Sequence, residues 1–251
     1  MISFGAGRMC GTPKTTAAGV AVTNPTPAEF GVLQDVNLDF SFEEKMLYGS
    51  KQFPVAFGRG KGKVGGKASF AEVYGRMYGE LFFGVTPSSS IKAVATDVAG
   101  TIPGTPYQLT PTVPSSGTWV QDLGVRYAAT GVQLTRVASA PSTGQYSVAA
   151  GVYTFAAADT TLGVLISFEY SATSTTAKVI TLSNQLMGYA PEFQLHLVQP
   201  YNGKVRTVVF TRCIASKLGV PVKNDDFTVE DFEFTAIADA SDSLGYIALS
   251  D

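Results

Sequence analysis

A strict alternation of apolar and polar residues is the feature that most constrains the fold. The segment Val36 to Phe42 reads VNLDFSF, with every second side chain apolar. This period of two predicts a strand with one buried face and one wet face that carries carboxylates. The pattern recurs in FQLHLV at Phe193 to Val198, and Asn202-Gly203 then predicts a tight hairpin turn before Val205 to Arg212. A last strand is expected over Phe227 to Ala238.

One segment has the helical period instead. From Phe70 to Phe83, Ser69 is placed as an N-cap and Glu72 as its capping-box partner. The expected packing face has the spacing of one side of a helix and consists of Phe70, Val73, Tyr74, Met77 and Leu81. With one helix among many strands, we predict a mainly β fold, in which two packed antiparallel β-sheets form a sandwich or barrel-like body flanked by one α-helix.

The predicted organisation has three parts. Residues 1–27 are rich in Gly, Thr and Pro and are interpreted as an extended N-terminal arm. Residues 28–251 form the β domain, and within it 88–186 has few charges, many Ser and Thr residues and short strands separated by turns. We interpret 88–186 as a β-rich insertion. No apolar run is long enough for a membrane span.

Gly60-Lys61-Gly62-Lys63-Val64-Gly65 matches the G-x-G-x-x-G pattern of dinucleotide-binding loops. The required context is missing, because Pro54 interrupts the preceding strand-like run and no acidic strand end follows at the expected distance. A P-loop fails as well, since Phe57 and Val64 stand where glycine and a hydroxyl residue are needed. We therefore expect a flexible loop here, and no cofactor.

Other catalytic or metal-binding arrangements find little support in the sequence. His196 is the single histidine and is predicted on the polar face of a strand, and Cys10 and Cys213 are the only cysteines and are interpreted as reduced thiols. Two cysteines and one histidine do not make a usual zinc site. Carboxylate pairs are better explained as a solvated strand face, so we predict no enzymatic activity and no metal.

Charge placement is the remaining signal, because the net charge of −2 gives no overall signature of a nucleic-acid binder. The segment from residue 51 to 67 holds only basic charges: Lys51, Arg59, Lys61, Lys63 and Lys67. The segment from residue 221 to 251 is acidic apart from Lys223. Either these are two separate solvated surfaces, or a basic patch on one copy meets an acidic patch on the next copy in a head-to-tail assembly.

Three segments carry a resemblance to a known family. Leu33 to Gly84, Gly144 to Asp159 and the ending from Asp226 to Asp251 are similar to bacteriophage tail tube proteins, also called major tail proteins. The resemblance covers about half of the chain and follows a pattern of strand, loop, strand and helix. It implies hexameric rings that stack into a hollow tube around a tape-measure protein, with tail-end proteins at each end. The location would be the virion tail, after assembly in the host cytoplasm.

The resemblance also implies roles for particular residues. Ring stacking would use residues 1–27, a long loop at roughly Glu43 to Gly62, and Ser241 to Asp251. The candidates for subunit contacts are Lys51, Arg59, Lys61, Lys63, Lys67, Asp239, Asp242 and Asp251. A lumen that lets DNA pass without specific binding should be acidic. The candidates for its carboxylates are Asp35, Asp39, Glu230, Asp231 and Glu233.

Alternative functions stay open at this stage. A terminator ring, a head decoration protein or a secretion-type tube would share most of these features. A β-sandwich that binds glycans is a further alternative and predicts an exposed aromatic groove around Trp119.

Overall fold

The computed structural model describes residues 4–250 of the 251-residue chain. Its strands, in chain order, are β1 (Arg8–Pro13), β2 (Ala28–Glu29), β3 (Gly31–Tyr48), β4 (Pro54–Glu72), β5 (Ser90–Thr101), β6 (Gln108–Leu109), β7 (Thr118–Tyr127), β8 (Thr135–Arg136), β9 (Gln145–Ala149), β10 (Val152–Phe155), β11 (Gly163–Thr173), β12 (Glu192–Tyr201), β13 (Lys204–Gly219), β14 (Glu230–Ala236) and β15 (Gly245–Leu249). The helix α1 is Met77–Phe83 and has the wide turns of a π-helix.

The mainly β class is confirmed, with 54% of residues in strands and 6% in helical turns. The sheets are packed and largely antiparallel, but the described residues do not close into a barrel. Across residues 4–250, no helix combines the length and the apolarity needed to cross a bilayer.

The chain divides into two compact units. Unit 1 contains the chain up to Pro87 and the chain from Ile180 onward, and unit 2 is Ser88–Val179. Unit 2 therefore starts at the first residue of the predicted insertion and ends at Val179 rather than at residue 186. Its two ends meet, because Ser88 and Val179 exchange backbone hydrogen bonds of 3.0 and 2.9 Å.

Unit 1 is built on one eight-stranded sheet in the order β2-β1-β12-β13-β14-β4-β3, with β15 also paired to β13. Inward-facing residues of β12 and β14 alternate with outward-facing ones, as the sequence predicts. Its core is strongly aromatic and includes Phe30, Phe70, Phe193, Phe232 and Phe234. The helix α1 adds Met77 and Leu81 to the same core.

Unit 2 has a four-stranded sheet, β6-β10-β9-β8, and a three-stranded sheet, β5-β11-β7. Side chains from both sheets share one core. Asp122 on β7 is buried in it and accepts hydrogen bonds from the hydroxyls of Tyr146 (2.7 Å) and Tyr153 (3.0 Å). Because Tyr146 lies on β9 and Tyr153 on β10, this carboxylate joins the two sheets.

The predicted start of the helix is wrong. Phe70 lies in β4, and α1 begins only at Met77. The reason is nonlocal, since Phe70 pairs with Leu33 on one side and with Glu230 on the other, and a strand paired on both sides outweighs local helix propensity. Phe70 is nevertheless fully buried, whereas Tyr74 is 44% exposed and does not pack as predicted. Gly84, with φ +64°, ends α1 in the left-handed conformation that favours glycine.

The predicted loop at Glu43 to Gly62 is also wrong. The pairing of β3 with β4 continues from Phe42–Gly62 to Tyr48–Pro54, so only residues 49–53 form the turn. Both ends of the chain also contribute strands to the sheet of unit 1. Strand β1 lies between β2 and β12, and β15 follows the strand that was expected to be last.

Asn202-Gly203 forms the predicted tight turn between β12 and β13. Both residues have positive φ, +54° and +80°, as a type I′ turn requires.

Candidate functional site

The far part of the β3–β4 hairpin is the most unusual surface of unit 1. We call residues 41–63 the hairpin arm. Every residue of the arm is exposed, although the arm is regular paired β structure over most of its length. A two-stranded ribbon with both faces open to solvent is marginally stable by itself. It therefore has the properties of a segment that packs against something else.

One face of the arm is apolar. Met46 pairs directly with Phe57, the Tyr48 hydroxyl lies 3.5 Å from the Met46 sulfur, and Arg59 stacks over the Phe42 ring at 4.7 Å. These contacts place the apolar side chains of the arm on one side, and we call Phe42, Met46, Tyr48, Val55 and Phe57 the apolar face. Each of them is between 45% and 68% exposed.

The apolar face continues the core of unit 1. The same side of β3 carries Val36, Leu38 and Phe40 closer to the body of the sheet, and the Phe40 ring lies 6.1 Å from that of Phe210. Val36 and Leu38 are thus partly buried against the core, whereas Phe40, at 47% exposed, and the apolar face beyond it are open to solvent. The sequence analysis missed these residues, although the alternation that begins at Val36 runs on through Met46 and Tyr48 and is broken only by Glu44 and Leu47.

Strand β3 also has an open edge. Within residues 4–250 it pairs with β4 alone, so the other edge of an 18-residue strand carries backbone groups with no strand beside them. Long open edges are templates for pairing with another chain. The carboxylates at Asp35, Asp39, Glu43 and Glu44 oppose promiscuous pairing, since charged residues are a common protection of such edges.

The predicted basic residues divide into two groups. Lys51, Arg59, Lys61 and Lys63 lie on the arm and form no ion pair among residues 4–250. Lys67 lies outside the arm, and its ammonium contacts Asp231 at 2.7 Å. That hydrogen bond raises the pKa of Lys67. The charges of the arm are therefore available to a partner, whereas that of Lys67 is already matched.

Four of the five predicted lumen carboxylates share one exposed sheet face, which we call the polar face. Its rows follow the strand register, with Asp35 opposite Ser69 and Ser69 opposite Asp231. In the next row, Asn37 stands opposite Lys67, and Lys67 stands opposite Glu233. Asp39 lies opposite Gly65.

The polar face is not uniformly acidic. Lys67 and Lys217 form ion pairs with Asp231 and Glu233, at 2.7 and 3.3 Å. Hydrogen bonds from Lys67 and then from Ser69 hold the pKa of Asp231 below its ordinary value. With Asp35 and Asp39 added, carboxylates exceed ammonium groups on this face.

Glu230 is the exception among the predicted lumen residues. It belongs to the buried side of β14, together with Phe232 and Phe234, and is only 6% exposed. Successive strand residues point to opposite faces, so Glu230 and Asp231 cannot both line one surface. Burial raises the pKa of Glu230.

The acidic candidates near the C-terminus are found in a turn. Asp239 accepts hydrogen bonds from the backbone N–H groups of Ser241 and Ser243, which lowers its pKa. Asp242 is exposed and has a positive φ of +57°. Asp251 lies outside the described residues.

Other chemical candidates are placed as follows. The glycine motif at residues 60–65 lies inside β4 and is not followed directly by a helix, so it has no phosphate-binding geometry. His196 stands opposite Cys10 on neighbouring strands, and burial raises the pKa of the Cys10 thiol. Among residues 4–250, no three His, Cys, Asp or Glu side chains are grouped as metal ligands would be.

Neither the models of protein families nor the curated proteins include a match to this chain.

Proposed function

We propose that this chain is the structural subunit of a phage tail tube. Copies of the chain form rings, taken to be hexameric, and the rings stack into a hollow conduit for DNA delivery. The observation that carries the proposal is the hairpin arm, whose apolar face extends the core of unit 1 into solvent. Exposed apolar surface of this kind is typical of interaction sites. Since it is continuous with an open strand edge, a second copy of a β-rich chain is the partner that fits it best.

The energetics favour many contacts over one. Covering a large apolar side chain contributes at most about 1.5–3 kcal/mol. Five such side chains give a gross gain comparable to the cost of about 4–15 kcal/mol for bringing two proteins together. A single arm contact is therefore marginal, whereas a subunit held by several neighbours is stable. Assembly should accordingly be cooperative, as the growth of a tube is.

Charge gives the contact a direction. The arm presents Lys51, Arg59, Lys61 and Lys63, and the acidic segments of unit 1 include Asp225, Asp226 and Asp242. In a head-to-tail stack, the arm of one copy meets an acidic surface of the next. Because exposed ion pairs are screened by salt, assembly should weaken as the ionic strength rises.

The polar face is our candidate for the wall of the conduit. Its excess of carboxylates would repel phosphates and leave DNA free to move, since each phosphate neutralised by a lysine would add affinity. In this role the protein has a tape-measure protein and tail-end proteins as its partners, no cofactor and no catalytic reaction. Its location is the virion tail after assembly in the host cytoplasm.

Charge reversal on the arm tests the proposal. We expect K61E/K63E to keep the far-ultraviolet circular dichroism of the original protein, because both side chains are exposed and neither forms an ion pair. Light scattering should show that the original protein forms large assemblies at low salt and that this variant does not.

The matched control is K92E/K178E, which reverses two lysines in unit 2 and should assemble normally. Unchanged assembly of K61E/K63E would contradict the role of the arm. Rings that form but never stack would favour the alternative of a terminator ring.

A further inference from the structure

A polar cavity in unit 2 is separate from the surfaces discussed so far. It has a volume of about 310 Å³ and lies on the three-stranded sheet β5-β11-β7. Its polar side chains are Asp97, Arg126, Gln133 and Ser167, and Leu123 and Leu165 add apolar surface. This volume is at the lower end of the range for small-molecule sites, about 300–1,000 Å³.

Irregular backbone on both sides of β11 creates the cavity. The pairing of β11 with β5 shifts register between Ile166 and Phe168, and its pairing with β7 shifts between Ser167 and Phe168. Asp97 stands at the first irregularity with a positive φ of +55°. β-Bulges redirect side chains and occur often beside functional sites. The two irregularities lie on opposite edges of β11 at the same residues, and Asp97 of β5 and Arg126 of β7 form an ion pair there.

Gly124 lines the cavity and leaves room there because it has no side chain. Its φ of +115° is rarely adopted by other residues, and a Cβ there would lie 3.1 Å from the Gln133 side-chain nitrogen. The glycine thus lets the Gln133 amide lie close to β7. Gly131 also lines the cavity.

The polar groups are held in place before any ligand arrives. Arg126 donates two hydrogen bonds to Asp97, from Nε at 3.0 Å and from Nη2 at 2.6 Å. The backbone N–H of Asp97 donates to the Ser167 hydroxyl at 3.1 Å. Within residues 4–250 neither the Gln133 side-chain amide nor Arg126 Nη1 makes a hydrogen bond, since the two bonds from the Arg126 guanidinium use Nε and Nη2.

The chemistry of this set points to a neutral ligand with several hydroxyls. The opposite charges of Asp97 and Arg126 cancel, so neither an anion nor a cation is favoured by net charge. The carboxylate accepts hydrogen bonds, the guanidinium donates them, and the amide and the Ser167 hydroxyl do both. Adjacent hydroxyls of a sugar ring need such neighbouring donors and acceptors, and the leucines can cover the C–H groups of the ring.

We propose that this cavity is a binding site for a neutral sugar. Asp97, Arg126 and Gln133 hydrogen-bond to its hydroxyls, and the paired irregularities of β5 and β7 hold these residues in position. The site is distinct from the aromatic groove considered around Trp119, because the Trp119 indole donates to the Tyr153 hydroxyl at 3.3 Å beside the core of unit 2. The proposal does not depend on tube assembly.

Saturation-transfer difference NMR on the full chain tests it. The probes are the methyl glycosides of α-D-glucose, α-D-mannose, β-D-galactose and β-D-N-acetylglucosamine, each added alone at millimolar concentration. We expect transfer to the ring protons of at least one of them. R126A and Q133A should each weaken binding by about tenfold, the effect of losing one hydrogen bond of moderate strength.

The control variants are K92A and E169A, which alter exposed or half-exposed residues of β5 and β11 outside the cavity and should bind as the original protein does. Absence of transfer to all four glycosides would overturn the proposal. So would transfer that persists in both R126A and Q133A. Displacement of the sugar by inorganic phosphate would assign the site to anions instead.

Discussion

The two units differ most in where their aromatic side chains lie. In unit 1, Phe42, Tyr48, Phe53 and Phe57 of the hairpin arm are all more than half exposed, and further aromatic residues are exposed elsewhere in the unit. In unit 2, the exposed large apolar residues are aliphatic: Val94, Val120, Leu123, Val132 and Leu162. Unit 2 keeps its described aromatic residues at least partly buried.

This difference is the basis for assigning the proposed association to unit 1. Unit 2 packs its own apolar core. Of its two buried carboxylates, Asp122 accepts hydrogen bonds from two tyrosine hydroxyls, and Asp159 accepts one from the Gly144 backbone N–H. Unit 1 has an equally well packed core but leaves part of the same apolar side of its sheet uncovered. Packing within the chain therefore accounts for unit 2, whereas the arm of unit 1 is the surface to which we assign the association proposed above.

The largest effect is expected from F232A. Phe232 is fully buried, and its ring lies 5.1 Å from Phe30 and 5.8 Å from Phe193. Removing a buried phenyl group costs about 3–5 kcal/mol of the free energy of unfolding. Trp119 is the single tryptophan and belongs to unit 2, so tryptophan fluorescence reports the unfolding of unit 2 alone. In urea, circular dichroism should show earlier unfolding of unit 1 while the Trp119 transition stays in place. Equal shifts of both signals would show that the two units unfold together.

A smaller effect, confined to unit 2, is expected from D122A. The substitution leaves the hydroxyls of Tyr146 and Tyr153 without their buried acceptor. Each unsatisfied group costs about 1–3 kcal/mol, and partial rearrangement brings the expected sum to about 2–4 kcal/mol. The Trp119 transition should move to lower urea. Y146F, which removes one donor and leaves the carboxylate bonded to Tyr153, should cost less than D122A. A D122A variant as stable as the original would mean that this carboxylate does not hold the two sheets together.

The smallest effect concerns pH and Glu230. Burial raises the pKa of Glu230 in the folded chain above its value in the unfolded chain. Its contribution to stability is therefore complete below the unfolded pKa and is lost as the pH rises through the folded pKa. Above the folded pKa an ionised carboxylate in the core opposes folding, so in that range E230Q should raise the free energy of unfolding by about 1 kcal/mol.

Near pH 4 the gain from E230Q should vanish, because the carboxyl group is then protonated. Urea unfolding at several pH values from 4 to 8 measures this dependence. E233Q, on the exposed side of the same strand, is the control and should change stability by less than about 1 kcal/mol. Parallel pH profiles for E230Q and the original protein would contradict the assignment of a raised pKa.

Local sequence patterns predicted the strands whose burial alternates residue by residue. Phe193 to Val198 and Phe232 to Ala236 are examples, and Asn202-Gly203 identified the turn between β12 and β13. The helix start was wrong because Phe70, Tyr74, Met77 and Leu81 happen to have helical spacing. Phe70 is held in a strand by pairing with Glu230, which lies 160 positions further along the chain, so the local sequence does not reveal it.

The candidate site also depends on strand pairing that the local sequence does not reveal. The alternation from Val36 to Phe42 placed Asp39 on the wet face of its strand, but only the register of β3, β4 and β14 brings Asp35, Asp39 and Glu233 together. Glu230 and Asp231 are successive strand residues, so the sequence alone already shows that they point to opposite faces of the sheet. The glycines and lysines at residues 58–63 suggested a loop because glycine weakens a strand. Pairing with β3 makes this segment regular.

Electron microscopy of the purified full chain at low salt tests the central claim most directly. We predict rings or hollow tubes with a lumen wide enough for duplex DNA, in which the hairpin arm of each copy is covered by a neighbour. Monomers at every concentration up to the limit of solubility, with the apolar face of the arm still open to solvent, would contradict it.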